Sequence, residues 1–291
     1  MAEYIIATTS TSDLPLEFLN EHGIEFISYS YMLDNEIYYD DCKEETKLSI
    51  AKRMREGAEI STSMINSYNY YEFFKKLLET GKNVLFLDMS KKISHSFDAA
   101  NDAAEKAKAE FPEQKLYIMD TRCISGGLGL LVSKCVELKE AGKSFEEVIE
   151  WAEKNKLKIM HRFTVDDLKY LKKGGRVSNA SALVGALLSI KPILYVPDDG
   201  TLSVSSKVRG RKLALLKYVE DMKKDMVSPE ENEVRILHMD SLKDAEFVKA
   251  KIIEAFPKIA KISIGSVGTV IGTHVGPGLI TMFYFGCKRQ P

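Results

Sequence analysis

The sequence predicts an α/β protein with two domains: an N-terminal three-layer α/β/α parallel sheet and a C-terminal two-layer mixed sheet with helices. The chain has 291 residues, which corresponds to two domains at roughly 150 residues each. In the first half, short apolar runs alternate with helical patterns, as is typical of a parallel sheet covered on both faces. In the second half, the PDDG sequence at 197–200 predicts an antiparallel hairpin.

The N-terminal half contains four apolar runs that we interpret as strands. Pro15 suits the first turn of a helix, and Gly23 suits its end. A second helix is predicted over Tyr68–Thr80, where apolar residues recur at helical spacing. Further helices are predicted around Phe97–Ala107 and from about Gly127 and Ser144. The predicted strands are Tyr4–Ala7, Ile24–Ser30, Val84–Leu87 and Leu116–Met119.

The C-terminal half shows a different order of elements, which indicates a mixed sheet with helices on one face. A domain boundary is predicted near Asn155–Lys158, giving domains 1–157 and 158–291. The predicted strands are Ile159–Phe163, Pro192–Val196, Thr201–Val204, Val234–Met239, Lys261–Val267 and Leu279–Phe285. The predicted helices are Val165–Lys173, Ala182–Ile190, a long helix through Leu215 and Met226, and Asp244–Phe256.

Composition narrows the class of protein. Lys and Arg number 41 against 42 Asp and Glu, for a net charge of −1, so no global positive charge points to nucleic acid or to more than transient membrane contact. The N-terminus lacks the pattern of a signal peptide, and no run reaches the ~18 apolar residues of a membrane span. We therefore expect a cytoplasmic protein. The four cysteines show no CxxC spacing, so neither a zinc site nor a dithiol motif is predicted.

Common catalytic motifs are missing from the sequence. There is no P-loop, GxGxxG, HExxH or GxSxG pattern, and the five histidines are dispersed. We therefore predict no catalytic residue, no metal ligand and no cofactor. Several hydroxyl-rich and glycine-rich segments remain, and they either bind a small anionic group at strand ends or simply cap helices and close turns. These segments are Thr8–Asp13, Ser61–Ser63, Ser90–Ser96, Asp120–Gly129 and Gly272–Gly278.

Three longer segments resemble the DegV family: Phe163–Leu194, Asp199–Ala214 and Ile271–Ile280. The resemblance runs along almost the whole chain. It implies two domains with the ligand between them, the C-terminal domain contributing a lipid tunnel. It also implies a bound long-chain fatty acid and no catalysis by this chain. Such a protein presents the acyl carboxylate to a separate ATP-dependent fatty acid kinase subunit.

The resemblance also implies site residues. The family's STS segment places carboxylate ligands at Thr62 and Ser63. Its LSGT segment aligns with SKKISHS and points to Ser94, and its GTHVGPG segment points to His274. The family's arginines that line the carboxylate end or face the kinase correspond to Arg176, Arg209 and Arg211.

Two positions depart from the family pattern. Thr9 stands where the family has an aspartate, and His95 replaces the glycine of LSGT. Both changes concern the geometry around the carboxylate and do not obviously close an acyl tunnel.

Apolar segments supply material for such a tunnel. Ala182–Ile190 is apolar on nearly every face, Leu279–Phe285 is aromatic, and the chain has 11 methionines. The same composition is typical of an ordinary core, so both interpretations stay open. Two other functions also stay open. One is a serine acyl hydrolase or transferase, with Ser94 as nucleophile and His274 as base. The other is a regulator that binds a nucleotide or phosphate through its hydroxyl-rich loops.

Overall fold

The computed structural model describes residues 4–176 and 190–289, and these form three sheets. The strands are, in chain order, β1 (Tyr4–Thr9), β2 (Glu25–Ile27), β3 (Ser30–Leu33), β4 (Glu36–Tyr39), β5 (Ile60–Ser63), β6 (Asn83–Asp88), β7 (Leu116–Asp120), β8 (Ile159–Thr164), β9 (Ile190–Tyr195), β10 (Ser203–Arg209), β11 (Glu233–His238), β12 (Lys261–Ser266) and β13 (Ile280–Phe285).

Helices follow most of these strands. They are α1 (Leu16–Glu21), α2 (Glu44–Arg55), α3 (Ser67–Leu78), α4 (Ser96–Glu110), α5 (Gly126–Glu140), α6 (Phe145–Asn155), α7 (Lys169–Lys173), α8 (Arg211–Asp225), α9 (Leu242–Ala255) and α10 (Thr269–Val275).

The first sheet is parallel, with the order β2-β1-β6-β7. Every residue of its central run Val84–Leu87 is fully buried, so helices cover both faces. On one face, the ring of Phe86 packs edge-on against Tyr70 and Phe74 of α3. Such a continuous apolar strand is what a doubly covered sheet requires, and the prediction of an α/β/α layer is confirmed.

The second sheet is mixed, with the order β10-β9-β8-β13-β11-β12. Only β11 and β12 are parallel neighbours. Helices α8 and α9 bury Tyr218, Met222 and Val248 in one core with this sheet. Helix α5 contacts β1 and β6 of the parallel sheet as well as β8, β11 and β13 of the mixed sheet. The predicted second architecture is thus confirmed, and α5 packs between the two sheets.

The third sheet was not predicted. The expected strand Ile24–Ser30 ends at Ile27 in the parallel sheet, and Ser30 begins the antiparallel sheet β4-β3-β5. Asp34 and Asn35, both with positive φ, form the tight turn between β3 and β4. All four residues of β4 are exposed, including Ile37, Tyr38 and Tyr39, so the strand lacks the alternation of apolar and polar residues that marks a half-buried strand.

Three other predictions change or lie outside the described residues. The helix predicted over Val165–Lys173 is helical only over Lys169–Lys173. The helix predicted over Ala182–Ile190 falls outside the described residues, except that Ile190 begins β9. The predicted hairpin is present as antiparallel β9 and β10.

The chain passes from α6 to β8 through a 3₁₀ turn at Lys156–Lys158. Domains 1–157 and 158–291 remain our proposed division, at this turn.

Candidate ligand-binding site

An apolar cavity lies between the parallel and the mixed sheet and contains about 560 Å³ of atom-free space including its opening. Residues from both halves of the chain line it. They include Ile93, Ile124, Phe163, Leu171, Val196, Leu202, Ile271, Leu279 and Phe283.

An open, more polar groove adjoins this cavity. Arg176 and His274 line both the cavity and the groove, and Thr62 lines the groove. These three side chains therefore stand where the apolar interior meets the open side. We call Thr62, Arg176 and His274 the junction.

Two distant segments bring Thr62 and His274 together. Thr62 lies on β5 and His274 on α10, and Thr62 Oγ1 is 2.8 Å from His274 Nε2. Gly174 makes room for the imidazole, because a Cβ on Gly174 would lie 2.4 Å from His274 Nδ1. Burial, helped by the charge of Arg176, lowers the pKa of His274 to about 4. The imidazole is therefore neutral at physiological pH.

Arg176 connects the two halves of the molecule at the junction. Its Nε donates to the carbonyl oxygen of Ile93 at 3.3 Å, and its Nη1 donates to the carbonyl oxygen of Gly174. Ile93 belongs to the loop after β6, while Arg176 follows α7. The guanidinium thus holds this loop beside the entrance of the cavity.

Ser94 is adjacent to this contact but is turned away from it. Its side chain is buried, and its Oγ is 3.3 Å from the hydroxyl of Tyr29 and accepts from the amide of Ser96 at 3.2 Å. It lines neither the cavity nor the groove in the described part of the chain. The structure brings the Ser94 backbone to the junction, but its hydroxyl joins a buried network.

Ser63 lies apart from its predicted partners. Successive side chains on a strand point to opposite faces, so Ser63 and Thr62 face opposite ways on β5. Thr62 pairs across the sheet with Tyr31, which is buried, and Ser63 pairs with Ser30. Ser63 is exposed on the outer face, away from His274.

The two remaining predicted arginines also lie away from the junction. Arg209 is exposed on β10. Arg211 is half-buried, donates to Asp244 at 2.8 Å and to the carbonyl oxygen of Gly278 at 2.7 Å, and lies 3.5 Å from Asp166. Its contacts hold α8 against α9 and the loop before β13.

One cavity residue carries no sequence signal. His161 lines the cavity from β8 and is fully enclosed, and burial lowers its pKa well below the usual value. Its Nε2 accepts from the amide of Ile124 at 3.1 Å and its Nδ1 faces the carbonyl oxygen of Ile159 at 3.0 Å. Both ring nitrogens are satisfied by backbone, so the ring serves as an apolar wall, edge-on to Phe283.

Thr9 and His95, the two departures from the family pattern, each contact an aspartate. Thr9 Oγ1 donates to Asp88 at 3.4 Å, so the carboxyl group next to the loop comes from β6. Burial raises the pKa of Asp88 to about 7. His95 is exposed at the start of α4, where its Nδ1 is 3.3 Å from Asp98, and it does not enter the cavity.

Comparisons with known proteins agree with this fold. Residues 4–286 match the model of the DegV family, a family described as uncharacterised. The chain therefore belongs to the DegV family. It is 37% identical to a DegV domain-containing protein of Clostridium perfringens over 292 residues, covering 100% of both chains.

Two solved structures are similar over nearly their full length. One is described as a DegV lipid-binding protein from Thermotoga maritima, with a TM-score of 0.86, 26% identity and coverage of 99% of this chain and 100% of that one. The other is a DegV family protein from Thermus thermophilus whose description reports fatty acid binding. It has a TM-score of 0.85 and 27% identity, and the match covers 97% of this chain and 99% of that one.

Residues 4–176 and 190–289 contain neither a candidate membrane span nor a candidate metal site. Within these ranges, no helix is both long and apolar enough to cross a bilayer. No three His, Cys, Asp or Glu side chains are grouped there in a way that could hold a metal ion.

Proposed function

We propose that this protein binds a long-chain fatty acid in the apolar cavity, with the carboxylate at the junction, and presents that carboxylate to a separate ATP-dependent kinase subunit. The observation that carries the proposal is the continuity of an apolar interior with an open groove through Thr62, Arg176 and His274. The fatty acids named for similar structures support the same ligand class.

The cavity supplies the binding energy for the tail. Burying one methylene contributes about 0.8 kcal/mol, so a tail of about fifteen contributes on the order of 12 kcal/mol before ordering costs. His161 is compatible with such a tail because its polar atoms are already paired with backbone. The cavity therefore discriminates in favour of an apolar chain.

The junction supplies hydrogen bonds for the carboxylate. A buried carboxylate costs several kcal/mol unless its oxygens are paired. In the tautomer that carries a proton on Nε2, His274 donates to Thr62 Oγ1 and frees the threonine hydroxyl to donate to the ligand. The guanidinium of Arg176 adds positive charge beside this position.

The open side of the groove is compatible with presentation to a kinase. A carboxylate at the junction is reachable from solvent, where a kinase can transfer the γ-phosphoryl group of ATP to a carboxylate oxygen. The products are an acyl phosphate and ADP. The hydrogen-bond donors Thr62 and His274 are neutral, and Nε and Nη1 of Arg176 already donate to backbone carbonyls. The carboxylate therefore stays more nucleophilic than it would in a direct ion pair. Arg209, exposed on β10, is our candidate for contact with the kinase.

The experiment compares two neighbouring hydroxyl residues. Native mass spectrometry with lipid extraction identifies the bound acid, and titration with that acid measures affinity. We expect Thr62→Val to weaken binding about tenfold, the value of one hydrogen bond to a charged group. Ser63→Ala, the matched control on the opposite face, should bind like the wild type. Equal losses in both variants, or none in Thr62→Val, would contradict the placement of the carboxylate.

The alternative is a serine acyl hydrolase. Ser94 Oγ pairs with Tyr29 and Ser96, while His274 Nε2 pairs with Thr62, so nucleophile and base are not hydrogen-bonded to each other. This geometry favours a binding protein without its own catalysis. Stoichiometric labelling of Ser94 by a fluorophosphonate probe would instead establish the hydrolase.

A further inference from the structure

A second pocket lies between the same two halves of the chain, apart from the apolar cavity. It contains about 680 Å³ of atom-free space including its opening, and none of its described lining residues is shared with the cavity. We call it the polar pocket. Leu14, Phe18, Leu237 and Ile264 form its apolar wall. Its polar and charged lining residues are Ser12, Asp13, Glu44, Lys47, Glu233, Arg235, Lys261, Ser263 and Ser266.

The loop after β1 places one free hydroxyl in this pocket. Four hydroxyls at the end of β1 and in this loop have partners within the protein. Thr8 donates to the carbonyl oxygen of Leu87, Thr9 and Thr11 pair with each other, and Ser10 accepts from the amide of Tyr29. Ser12 is fully buried, yet its Oγ has no hydrogen-bond partner in the described part of the chain. Buried polar atoms are normally paired, so Ser12 indicates a ligand or a bound water.

Lys47 contributes a cation whose hydrogen-bonding capacity is barely used. Its side chain is buried on α2, and Nζ makes one long contact, 3.5 Å to the carbonyl oxygen of Asp13. Within residues 4–176 and 190–289 it makes no ion pair at 4.0 Å or less. An ammonium group has three donors, so two of them are open to another acceptor.

Arg235 contributes a second cation from the other half of the chain. Its Nε and Nη2 are engaged by Glu233 and Ser133. Nη1 has no hydrogen bond among the described residues and packs beside Gly129, where a Cβ would lie 3.3 Å from it. The same Cβ would lie 2.5 Å from the carbonyl oxygen of Ser12, so Arg235 and Ser12 are neighbours.

Three acidic residues share the polar pocket with three cations. Glu233 pairs with Arg235 and Lys261, and Glu44 accepts from Ser266. Asp13 Oδ2 accepts from Ser125 at 2.5 Å. Burial raises the pKa of Asp13 to about 7, so this carboxyl group is not fully ionised at neutral pH. Lys47, Arg235 and Lys261 thus stand against Glu44, Glu233 and a partly ionised Asp13, whose Oδ1 has no hydrogen-bond partner among the described residues. Donors of Lys47, Arg235 and Ser12 remain unused.

We propose that the polar pocket is a second ligand site, which binds a small molecule through a phosphate or carboxylate group held by Lys47, Arg235 and Ser12. The N-terminus of the 15-residue helix α5 begins at Gly126 in the same pocket and adds a positive dipole end. Because its cations come from both halves of the chain, a bound anion bridges the two domains that we propose. This site does not depend on the fatty acid.

The test is isothermal titration of the full chain with inorganic phosphate and, separately, with malonate, at constant ionic strength. We expect saturable binding of one or both anions below about 10 mM, a weak but specific range. The anion that binds more tightly identifies the ligand as a phosphate or a carboxylate. Lys47→Met should weaken it at least about tenfold, because a charged hydrogen bond is lost. Lys52→Met, an exposed neighbour on α2, is the matched control and should not change it.

Ser12→Ala tests the same site with a smaller change, in case Lys47→Met does not fold. It removes only one unpaired oxygen atom. Ser12→Ala should lower the affinity for the same anion by a factor of about three to ten. The control Ser61→Ala, at an exposed position on β5, should leave that affinity unchanged. Both variants should retain their bound fatty acid. Absence of saturable binding by either anion would overturn the proposal. Binding that neither Lys47→Met nor Ser12→Ala alters would also overturn it.

Discussion

The apolar cavity and the polar pocket occupy the same interface between the two halves of the chain, yet they differ in how polar atoms are used. In the cavity, the polar groups of His161 are satisfied by backbone and His274 is neutral. In the polar pocket, Ser12 and Lys47 keep unused hydrogen-bonding capacity. One interface therefore combines an apolar environment, our proposed site for an acyl chain, with a charged one, our proposed site for an oxyanion.

Filling the cavity should strongly weaken fatty acid binding while anion binding in the polar pocket is kept. Leu202 is half-buried and lines the cavity, so the indole of Leu202→Trp should occupy the space of the acyl tail. We expect fatty acid affinity to fall about 100-fold or more, equivalent to about 2.7 kcal/mol. Fatty acid titration measures this loss, and phosphate or malonate titration should be unaffected.

Leu213→Trp is the matched control, because Leu213 is 58% exposed on α8. Unfolding by urea should show that both variants remain folded. Retention of wild-type fatty acid affinity by Leu202→Trp would mean that the ligand does not use this cavity.

The pH dependence of stability should have opposite signs in the two environments. Burial raises the pKa of Asp13 from 3.8 to about 7. Its contribution to the free energy of unfolding is complete below pH 3.8 and is lost as pH rises through 7. At about 1.4 kcal/mol per pKa unit, that loss is on the order of 4 kcal/mol. Asp40 and Asp88, whose pKa values burial raises to about 6 and about 7, act in the same direction.

His274 acts in the opposite direction, because its pKa is lowered from 6.5 to about 4. Its contribution is present above pH 6.5 and is lost as pH falls through 4. In urea unfolding between pH 4 and 8, the free energy of unfolding at pH 7 relative to pH 4 should be higher than wild type in Asp13→Asn and lower than wild type in His274→Gln. A wild-type slope in Asp13→Asn would show that this carboxyl group ionises at its ordinary pKa.

Substitution of Arg211 should have a smaller effect, and it should change stability and not fatty acid affinity. Arg211→Met leaves Asp244 and the carbonyl oxygen of Gly278 without their donor, and should lower the free energy of unfolding by about 1–3 kcal/mol. Fatty acid affinity should stay unchanged because Arg211 lines neither the cavity nor the groove in the described residues.

Arg209→Met should change stability by less than about 0.5 kcal/mol, since Arg209 is exposed. Thermal and urea unfolding measure both variants. Loss of fatty acid affinity in a fully stable Arg211→Met would restore Arg211 to the carboxylate end, as the family resemblance implies.

Local pattern accounts for most of the fold. The apolar run Val84–Leu87 and the PDDG turn predicted a parallel strand and a hairpin correctly, because burial and turn geometry act over a few residues. The sheet β4-β3-β5 was missed because β4, with its exposed Ile37, Tyr38 and Tyr39, lacks the alternating pattern of a half-buried strand.

Family motifs identified the residues of the junction, but spacing in the sequence did not reveal their geometry. Thr62 and His274 are 212 positions apart, and only the packing of β5 against α10 makes them partners. Side chains on β5 point alternately to the two faces of the sheet, so Ser63 lies on the opposite face from Thr62 although the two are adjacent in sequence.

By itself, the sequence determined the two architectures, the absence of common catalytic motifs and the membership of a family, because these depend on local residue patterns. Tertiary structure alone decided which hydroxyls are free. Internal hydrogen bonds occupy the hydroxyl groups of Thr8, Thr9, Ser10 and Thr11. The hydroxyl group of Ser12 has no partner among the described residues. The physical reason is that a hydroxyl group has the same chemistry in every loop, and its role depends on whether the fold places a partner within hydrogen-bond distance.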